Sequence, residues 1–113
     1  MELNDYQKKA HETSFHEMSV IYPTLGLLGE AGEVAEKIKK LIRDKGYRPG
    51  DCIDENDREA IALELGDVMW YVAELASNID LSLETICQLN LISLVRENQE
   101  TSCTVAEILD NGN

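Results

Sequence analysis

The chain has 113 residues and carries 22 acidic against 10 basic side chains, which gives a formal net charge of -12. So acidic a chain is not expected to bind polymeric nucleic acid, because that binding depends on clustered Lys and Arg to displace counterions from the phosphates. Any phosphate-bearing ligand would need a cation from outside the chain. Hydrophobic residues make up 43% and charged residues 28% of the sequence, a balance typical of one globular domain.

Membrane and disulfide-rich classes are also disfavoured. No apolar run approaches the roughly 20 residues of a membrane helix, and the first residues lack the basic and apolar regions of a signal peptide. We therefore expect a cytoplasmic protein without a membrane partner. The three cysteines, Cys52, Cys87 and Cys103, form no C-x-x-C pair, so we interpret them as reduced thiols rather than as zinc ligands or a disulfide framework.

Apolar residues recur with the 3.6-residue period of a helix through most of the chain, which predicts an all-α protein, a bundle of four to five helices. Asn4 is the expected cap of the first helix, with Gln7 as its capping-box partner. Gly46 is expected to end the second helix and Ser82 to cap the fourth. The helices are predicted over residues 4–16, 23–44, 57–77 and 82–98, with a weak fifth helix from Thr104. Residues 1–98 form the predicted domain, and residues 99–113 a tail that is either a short helix or mobile.

An internal repeat is the most informative feature of the sequence. Residues 27–34, LLGEAGEV, align with residues 61–68, IALELGDV, so that the acids, the glycine and the valine match at a constant offset. The pattern E-x-G-[ED]-V thus occurs once on each of two predicted helices. The surrounding apolar residues keep the same offset, and both helices are therefore expected to present an apolar stripe flanked by acids.

The acids of the repeat flank the apolar stripe at matching angles, the first of each pair about 60° and the second about 120° from its centre. If the two stripes pack as an antiparallel hairpin, four carboxylates can converge beside the seam: Glu30, Glu33, Glu64 and Asp67. Converging anions repel one another unless a cation compensates them. Oxygen ligands suit Mg²⁺ or Mn²⁺, and Mg²⁺ also bridges to substrate phosphates. The sequence therefore predicts a site for one or two divalent ions.

A solvated helix face is the alternative interpretation of these acids. Acidic residues followed by lysines four positions later, such as Glu33 with Lys37 or Glu36 with Lys40, commonly form weak exposed ion pairs. The duplication of the acidic pattern on two helices with matched faces favours the metal site.

The glycines of the repeat, Gly32 and Gly66, lie in helix interiors, where glycine costs about 1 kcal/mol relative to alanine. We therefore expect a close approach to the backbone there, by a ligand or by a tightly packed helix. A second apolar surface is predicted beside the stripe, and its excess area indicates self-association, with the bundle completed by a second chain. Its residues are Leu28, Ala35, Ile42, Ala62, Met69, Ala73 and Ala76.

Together these residues resemble the E-x-x-E and E-x-x-D signature of MazG-like nucleoside triphosphate pyrophosphohydrolases. The likeness spans about the first 95 residues, and it is carried by residues 26–34, 39–40 and 64–71, with Tyr6-Gln7, residues 81–84 and Asn90. It implies an all-α dimer or tetramer that binds Mg²⁺ through Glu30, Glu33, Glu64 and Asp67. It also implies hydrolysis of nucleotides to a monophosphate and pyrophosphate.

The chain departs from the family at two basic positions. Members usually carry a lysine three residues and an arginine seven residues after the asparagine, where this chain has Ser93 and Glu97. Contacts to the substrate phosphates are therefore expected from other residues or from a neighbouring subunit. The candidates in this chain are Lys37, Lys40, Arg43, Asn90 and Arg96.

The sequence favours hydrolysis of nucleoside or deoxynucleoside triphosphates between the α and β phosphates, with Glu30 or Glu33 accepting the proton of the attacking water. Such an activity would suit removal of unwanted nucleotides from the pool. Two alternatives stay open: a non-catalytic acidic helical module that binds a partner or senses nucleotides, and a pyrophosphatase restricted to dCTP or dUTP.

Overall fold

The computed structural model describes residues 1–15 and 19–97, and this part of the chain contains four α-helices and no strand. The helices are α1 (Leu3–Glu12), α2 (Ile21–Lys45), α3 (Glu55–Asn78) and α4 (Leu83–Glu97). The predicted all-α class is confirmed. None of these helices combines the length and apolar character needed to cross a membrane. The predicted tail, with its helix from Thr104, lies outside the described residues, as does Cys103.

The ends of α2 and α3 follow from local capping. Gly46 has a φ of 65°, a left-handed conformation that favours glycine, and its amide donates to the carbonyl of Ile42 at 3.2 Å. Its predicted role as the helix stop is confirmed. Helix α3 begins two residues earlier than predicted because Asp54 is its cap: the Asp54 Oδ1 accepts from the amide of Asp57 at 2.8 Å.

The predicted cap of the first helix was wrong. Helix α1 begins at Leu3 with Glu2 as its N-cap, in a reciprocal capping box with Asp5, whose Oδ2 accepts from the Glu2 amide at 3.3 Å. Asn4 and Gln7 instead reach across to the N-terminus of α4. A capping pattern read within one helix cannot reveal that its polar side chains serve another helix.

The N-terminus of α4 is satisfied by three side chains. The Gln7 Oε1 accepts from the Leu83 amide at 2.9 Å, and the Asn4 Oδ1 accepts from the Glu84 amide at 3.2 Å. Ser82 is the cap, as predicted, because its Oγ accepts from the Thr85 amide at 3.1 Å. The first three amides of α4 thus all have partners, which anchors α1 on α4.

The chain divides into two compact units. The terminal unit comprises Met1–Val20 and Ala73–Asn113, and the hairpin unit comprises Ile21–Val72. In the described part of the terminal unit, the buried residues are Ala10, Ala73, Glu74, Ala76, Leu83 and Thr85. The helical pattern placed Ala73 and Ala76 on an exposed second apolar surface, and this prediction was wrong. Both residues lie inside the core of the terminal unit.

The hairpin unit is an antiparallel pair formed by α2 and the first part of α3, as predicted. Contacts pair early α2 with late α3 and late α2 with early α3, as in Tyr22 with Tyr71 and Lys45 with Asp57. Much of its apolar surface is exposed in the single chain, with Leu28 at 74%, Ile42 at 56% and Met69 at 41%. Self-association stays a prediction, which the molar mass measured by light scattering can test.

Candidate metal site

Three carboxylates of the internal repeat meet between the two helices of the hairpin unit. Glu30 on α2 and Glu64 and Asp67 on α3 each offer one oxygen, and these oxygens all lie within 4.8 Å of one another. We call these three residues the acidic cluster. Glu64 and Asp67 are one turn apart on α3, so they share a face, and the antiparallel pairing brings Glu30 opposite them. Glu30 and Glu64 are half-buried, whereas Asp67 is exposed, in agreement with the angles predicted from the sequence.

Glu33, the fourth predicted ligand, lies outside this group of oxygens. It is exposed on α2, one turn after Glu30, and its negative charge still contributes to the pKa of Glu30. Its role as a metal ligand or as a base stays a prediction.

The acidic cluster is electrostatically unfavourable without a cation. Desolvation raises the pKa of the Glu30 carboxyl above its ordinary value, and the negative charges of Asp67, Glu64 and Glu33 raise it further. All the charged neighbours that shift this pKa are anions. Three carboxylate oxygens suit Mg²⁺ or Mn²⁺ as ligands, and either ion would relieve the repulsion between the carboxylates. The residues present therefore fit a divalent cation.

Lys37 lies at one end of the acidic cluster. Its Nζ is 3.8 Å from Oε1 of Glu64 on the facing helix, so the lysine pairs across the hairpin. The solvated face expected as the alternative does occur elsewhere on α2, where Glu36 pairs with Lys39 at 2.9 Å and with Lys40 at 3.9 Å. Ordinary exposed ion pairs within one helix thus occur beside the cluster, whereas the lysine that pairs with the cluster reaches it from the facing helix.

A small cavity of about 200 Å³ lies between α2 and α3, and both Lys37 and Lys40 line it. Lys45 also lines this cavity, but its ammonium is bound by Asp54 and Asp57. The two predicted phosphate-binding lysines of α2 therefore share one depression in the hairpin unit. Arg43, a further candidate, pairs with Asp44 at 2.8 Å.

Asn90 and Arg96, the predicted phosphate contacts of α4, belong to the terminal unit. Both are exposed, as are Ser93 and Glu97, which stand where the family usually has basic residues. Their role in substrate binding stays a prediction.

Within the described chain no helix packs closely on the repeat glycines, and an approach by a ligand there stays a prediction. A Cβ on Gly32 or Gly66 would meet nothing within 4 Å. The close approach occurs instead at Gly26, where a Cβ would overlap the ring of Tyr71. Gly26 lies outside the repeat, so the repeat did not predict this contact, although the spacing of Tyr22, Gly26 and Glu30 by four residues places all three on one face of α2.

The described part of the chain is thus an all-helical protein in which carboxylates from both copies of the repeat meet between α2 and α3. The family model for the MazG nucleotide pyrophosphohydrolase domain matches residues 22–92, and the chain belongs to this family. The gene 37 protein of Mycobacterium phage L5 is 51% identical over 73 residues, which cover 65% of this chain and 60% of the phage protein. The chain thus spans less than two thirds of the length of this relative. No solved structure matches the chain significantly.

The raised pKa of Glu30 makes a specific prediction about stability. A carboxyl whose pKa is higher in the folded than in the unfolded chain stabilises the fold below its unfolded pKa, and this contribution is lost as pH rises through the folded pKa. In EDTA, Glu30→Gln is therefore expected to melt above the wild type near neutral pH, with the difference shrinking as pH falls toward about 4. Circular dichroism melts across this range measure it. A constant difference at every pH would contradict the assignment to Glu30.

Proposed function

We propose that this protein hydrolyses nucleoside or deoxynucleoside triphosphates to a monophosphate and pyrophosphate, with Mg²⁺ as its cofactor and Mn²⁺ as a substitute. The observation that carries the proposal is the convergence of Glu30, Glu64 and Asp67 within 4.8 Å across the hairpin. Membership of the MazG pyrophosphohydrolase family supports the reaction class. Removal of unwanted nucleotides from the pool is the role that such a reaction suits.

The acidic cluster would hold the divalent ion, with Glu33 as a further ligand from the next turn of α2. When bound, the ion supplies charge neutralisation for the phosphates and acidifies a water molecule. In the reaction, the water oxygen bonds to the α-phosphorus, the bond from that phosphorus to the bridging oxygen breaks, and pyrophosphate leaves. Glu30 or Glu33 accepts the water proton; the raised pKa of Glu30 favours proton uptake there.

Phosphate binding is assigned to Lys37 and Lys40. Lys37 is within ion-pair distance of the acidic cluster, and both lysines line the same small cavity. An ammonium group is a compact charge that binds phosphate oxygens well without rigid geometry. Asn90 and Arg96 are further candidates, which the family resemblance suggests.

A pyrophosphate-release assay over canonical and damaged nucleoside and deoxynucleoside triphosphates tests the proposal. We expect release with Mg²⁺ or Mn²⁺ and none after EDTA treatment, because the acidic cluster by itself repels the phosphates. Turnover confined to dCTP or dUTP would identify a narrow-specificity pyrophosphatase. Nucleotide binding without turnover for any substrate and metal would favour the non-catalytic alternative, in line with Ser93 and Glu97 at positions that are usually basic.

A further inference from the structure

The basic residues of the chain are concentrated at one end of the hairpin unit. Seven of the ten Lys and Arg residues lie within residues 37–58. Residues 37–48, which we call the basic segment, carry six basic residues and a single acid in a chain whose net charge is -12. The segment covers the last turns of α2 and the start of the loop that follows. An anionic ligand is therefore attracted to this end of the hairpin and repelled by the acidic remainder of the chain.

The cavity of about 200 Å³ between α2 and α3 lies at this basic segment. Three lysines of the segment line it: Lys37, Lys40 and Lys45. The cavity is next to the acidic cluster, because Ala60 of α3 also lines it and Glu64 follows Ala60 by one helical turn. A phosphate chain whose first group meets a metal ion at the cluster can therefore extend into this cavity.

The two acids that line the cavity are neutralised by neighbouring cations. Arg43 donates to Asp44 through Nε at 2.8 Å and through a terminal guanidinium nitrogen at 3.2 Å. Lys45 donates to Asp57 and, at 3.2 Å, to Asp54. Neither Asp44 nor Asp57 thus presents an uncompensated negative charge to the cavity, and the ammonium of Lys45 is already bound.

Lys37 and Lys40 differ from Lys45 because their ammonium groups have no close acceptor. The Nζ of Lys37 is 3.8 Å from Glu64, and the Nζ of Lys40 is 3.9 Å from Glu36. Both distances exceed the length of a hydrogen bond, so among the described residues neither ammonium donates to an acid at close range. Three residues separate the two lysines, about one turn of α2, so an anion in the cavity can meet both.

We propose that this cavity is the subsite for the two terminal phosphates of the nucleotide, with Lys37 bound to the inner phosphate and Lys40 to the outer one. The order follows because Lys37 contacts the acidic cluster and Lys40 lies one turn further from it along α2. The nucleotide then lies along the hairpin with its terminal phosphate toward Gly46. The inference rests on the proposed function for the reaction, and it makes Lys40 the residue that contacts the terminal phosphate of a triphosphate.

The test measures binding of inorganic pyrophosphate to the whole chain in excess Mg²⁺, because this ligand has the two phosphates that the cavity would hold. Lys40→Gln removes the charge, and the half-exposed position should tolerate the substitution. We expect about tenfold weaker pyrophosphate binding, the effect of losing one hydrogen bond from a charged group. Mn²⁺ affinity without pyrophosphate should be unchanged, since Lys40 lies outside the acidic cluster. Isothermal titration calorimetry at fixed ionic strength measures both affinities.

Lys39→Gln is the matched control, because it removes the same charge one residue away. Lys39 pairs with Glu36 at 2.9 Å and does not line the cavity. We expect less than about threefold weakening, which separates general charge attraction from a contact in the cavity. Equal weakening in the two variants would overturn the inference, as would unchanged binding in Lys40→Gln or no pyrophosphate binding to the wild type.

The same variants separate this subsite from the proposed catalysis. If nucleotides are hydrolysed, Lys40→Gln is expected to raise the KM for triphosphates about tenfold with little change in kcat, because the terminal phosphate is bound equally before and during the reaction. Pyrophosphate release with an unchanged KM in Lys40→Gln would refute the subsite and leave the catalysis standing. The expected difference in pyrophosphate binding, without pyrophosphate release from any nucleotide, would uphold the subsite and refute the catalysis.

Discussion

Asp67→Asn is expected to reduce pyrophosphate release by about 100-fold or more. The amide has nearly the same size as the carboxylate, but it removes one of the three anionic oxygens that converge within 4.8 Å. Because Asp67 is exposed, the substitution should leave the fold intact. Release rates at saturating Mg²⁺ measure the effect, and titration with Mn²⁺ shows whether metal affinity falls with them.

Glu36→Gln is the matched control for Asp67→Asn. Glu36 lies on α2 within the same unit, but it is paired with Lys39 and Lys40 and stands outside the acidic cluster. Its removal is expected to change the rate by less than about twofold, because exposed pairs of this kind contribute little. Equal losses in the two variants, or full activity in Asp67→Asn, would refute the metal site. Glu33→Gln in the same assay decides whether the fourth acid takes part.

Gly26→Ala is expected to destabilise the protein although alanine is the better helix former. Helix propensity alone would stabilise α2 by about 1 kcal/mol. The new methyl group, however, would overlap the Tyr71 ring. Such overpacking typically costs about 1–3 kcal/mol, which offsets or exceeds the gain in helix propensity. The ring cannot simply turn away, because Tyr22 and Trp70 flank it. Urea unfolding gives the sign directly as a shift in the midpoint.

Gly29→Ala provides the control for this substitution. It lies three residues further along the same helix, and a Cβ there would meet nothing within 4 Å, so it should raise the free energy of unfolding by up to about 1 kcal/mol. The double variant Gly26→Ala with Tyr71→Ala should recover part of the loss, since the overlapping ring is gone. If Gly26→Ala were as stabilising as Gly29→Ala, the Tyr71 ring would not rest on the helix.

Local patterns predicted the helices and most of their ends. The 3.6-residue period predicted four helices with every end within four residues of its observed place, and Gly46 and Ser82 acted as the expected stop and cap. Asn4 and Gln7 were correctly recognised as capping side chains but assigned to the wrong helix. Their hydrogen bonds cross to α4, and a pattern within one segment contains no information about which neighbour a side chain will reach.

The sequence by itself determined the class of fold, the candidate acids and the family resemblance, because a duplicated pattern with helical period fixes the direction of each side chain around its own helix axis. The tertiary structure decided which of these side chains meet. It brought Asp67 rather than Glu33 into the acidic cluster, paired Lys37 with Glu64, and placed the Tyr71 ring on Gly26. These outcomes depend on how far two helices slide and rotate against each other, and side-chain packing along the whole hairpin sets both quantities.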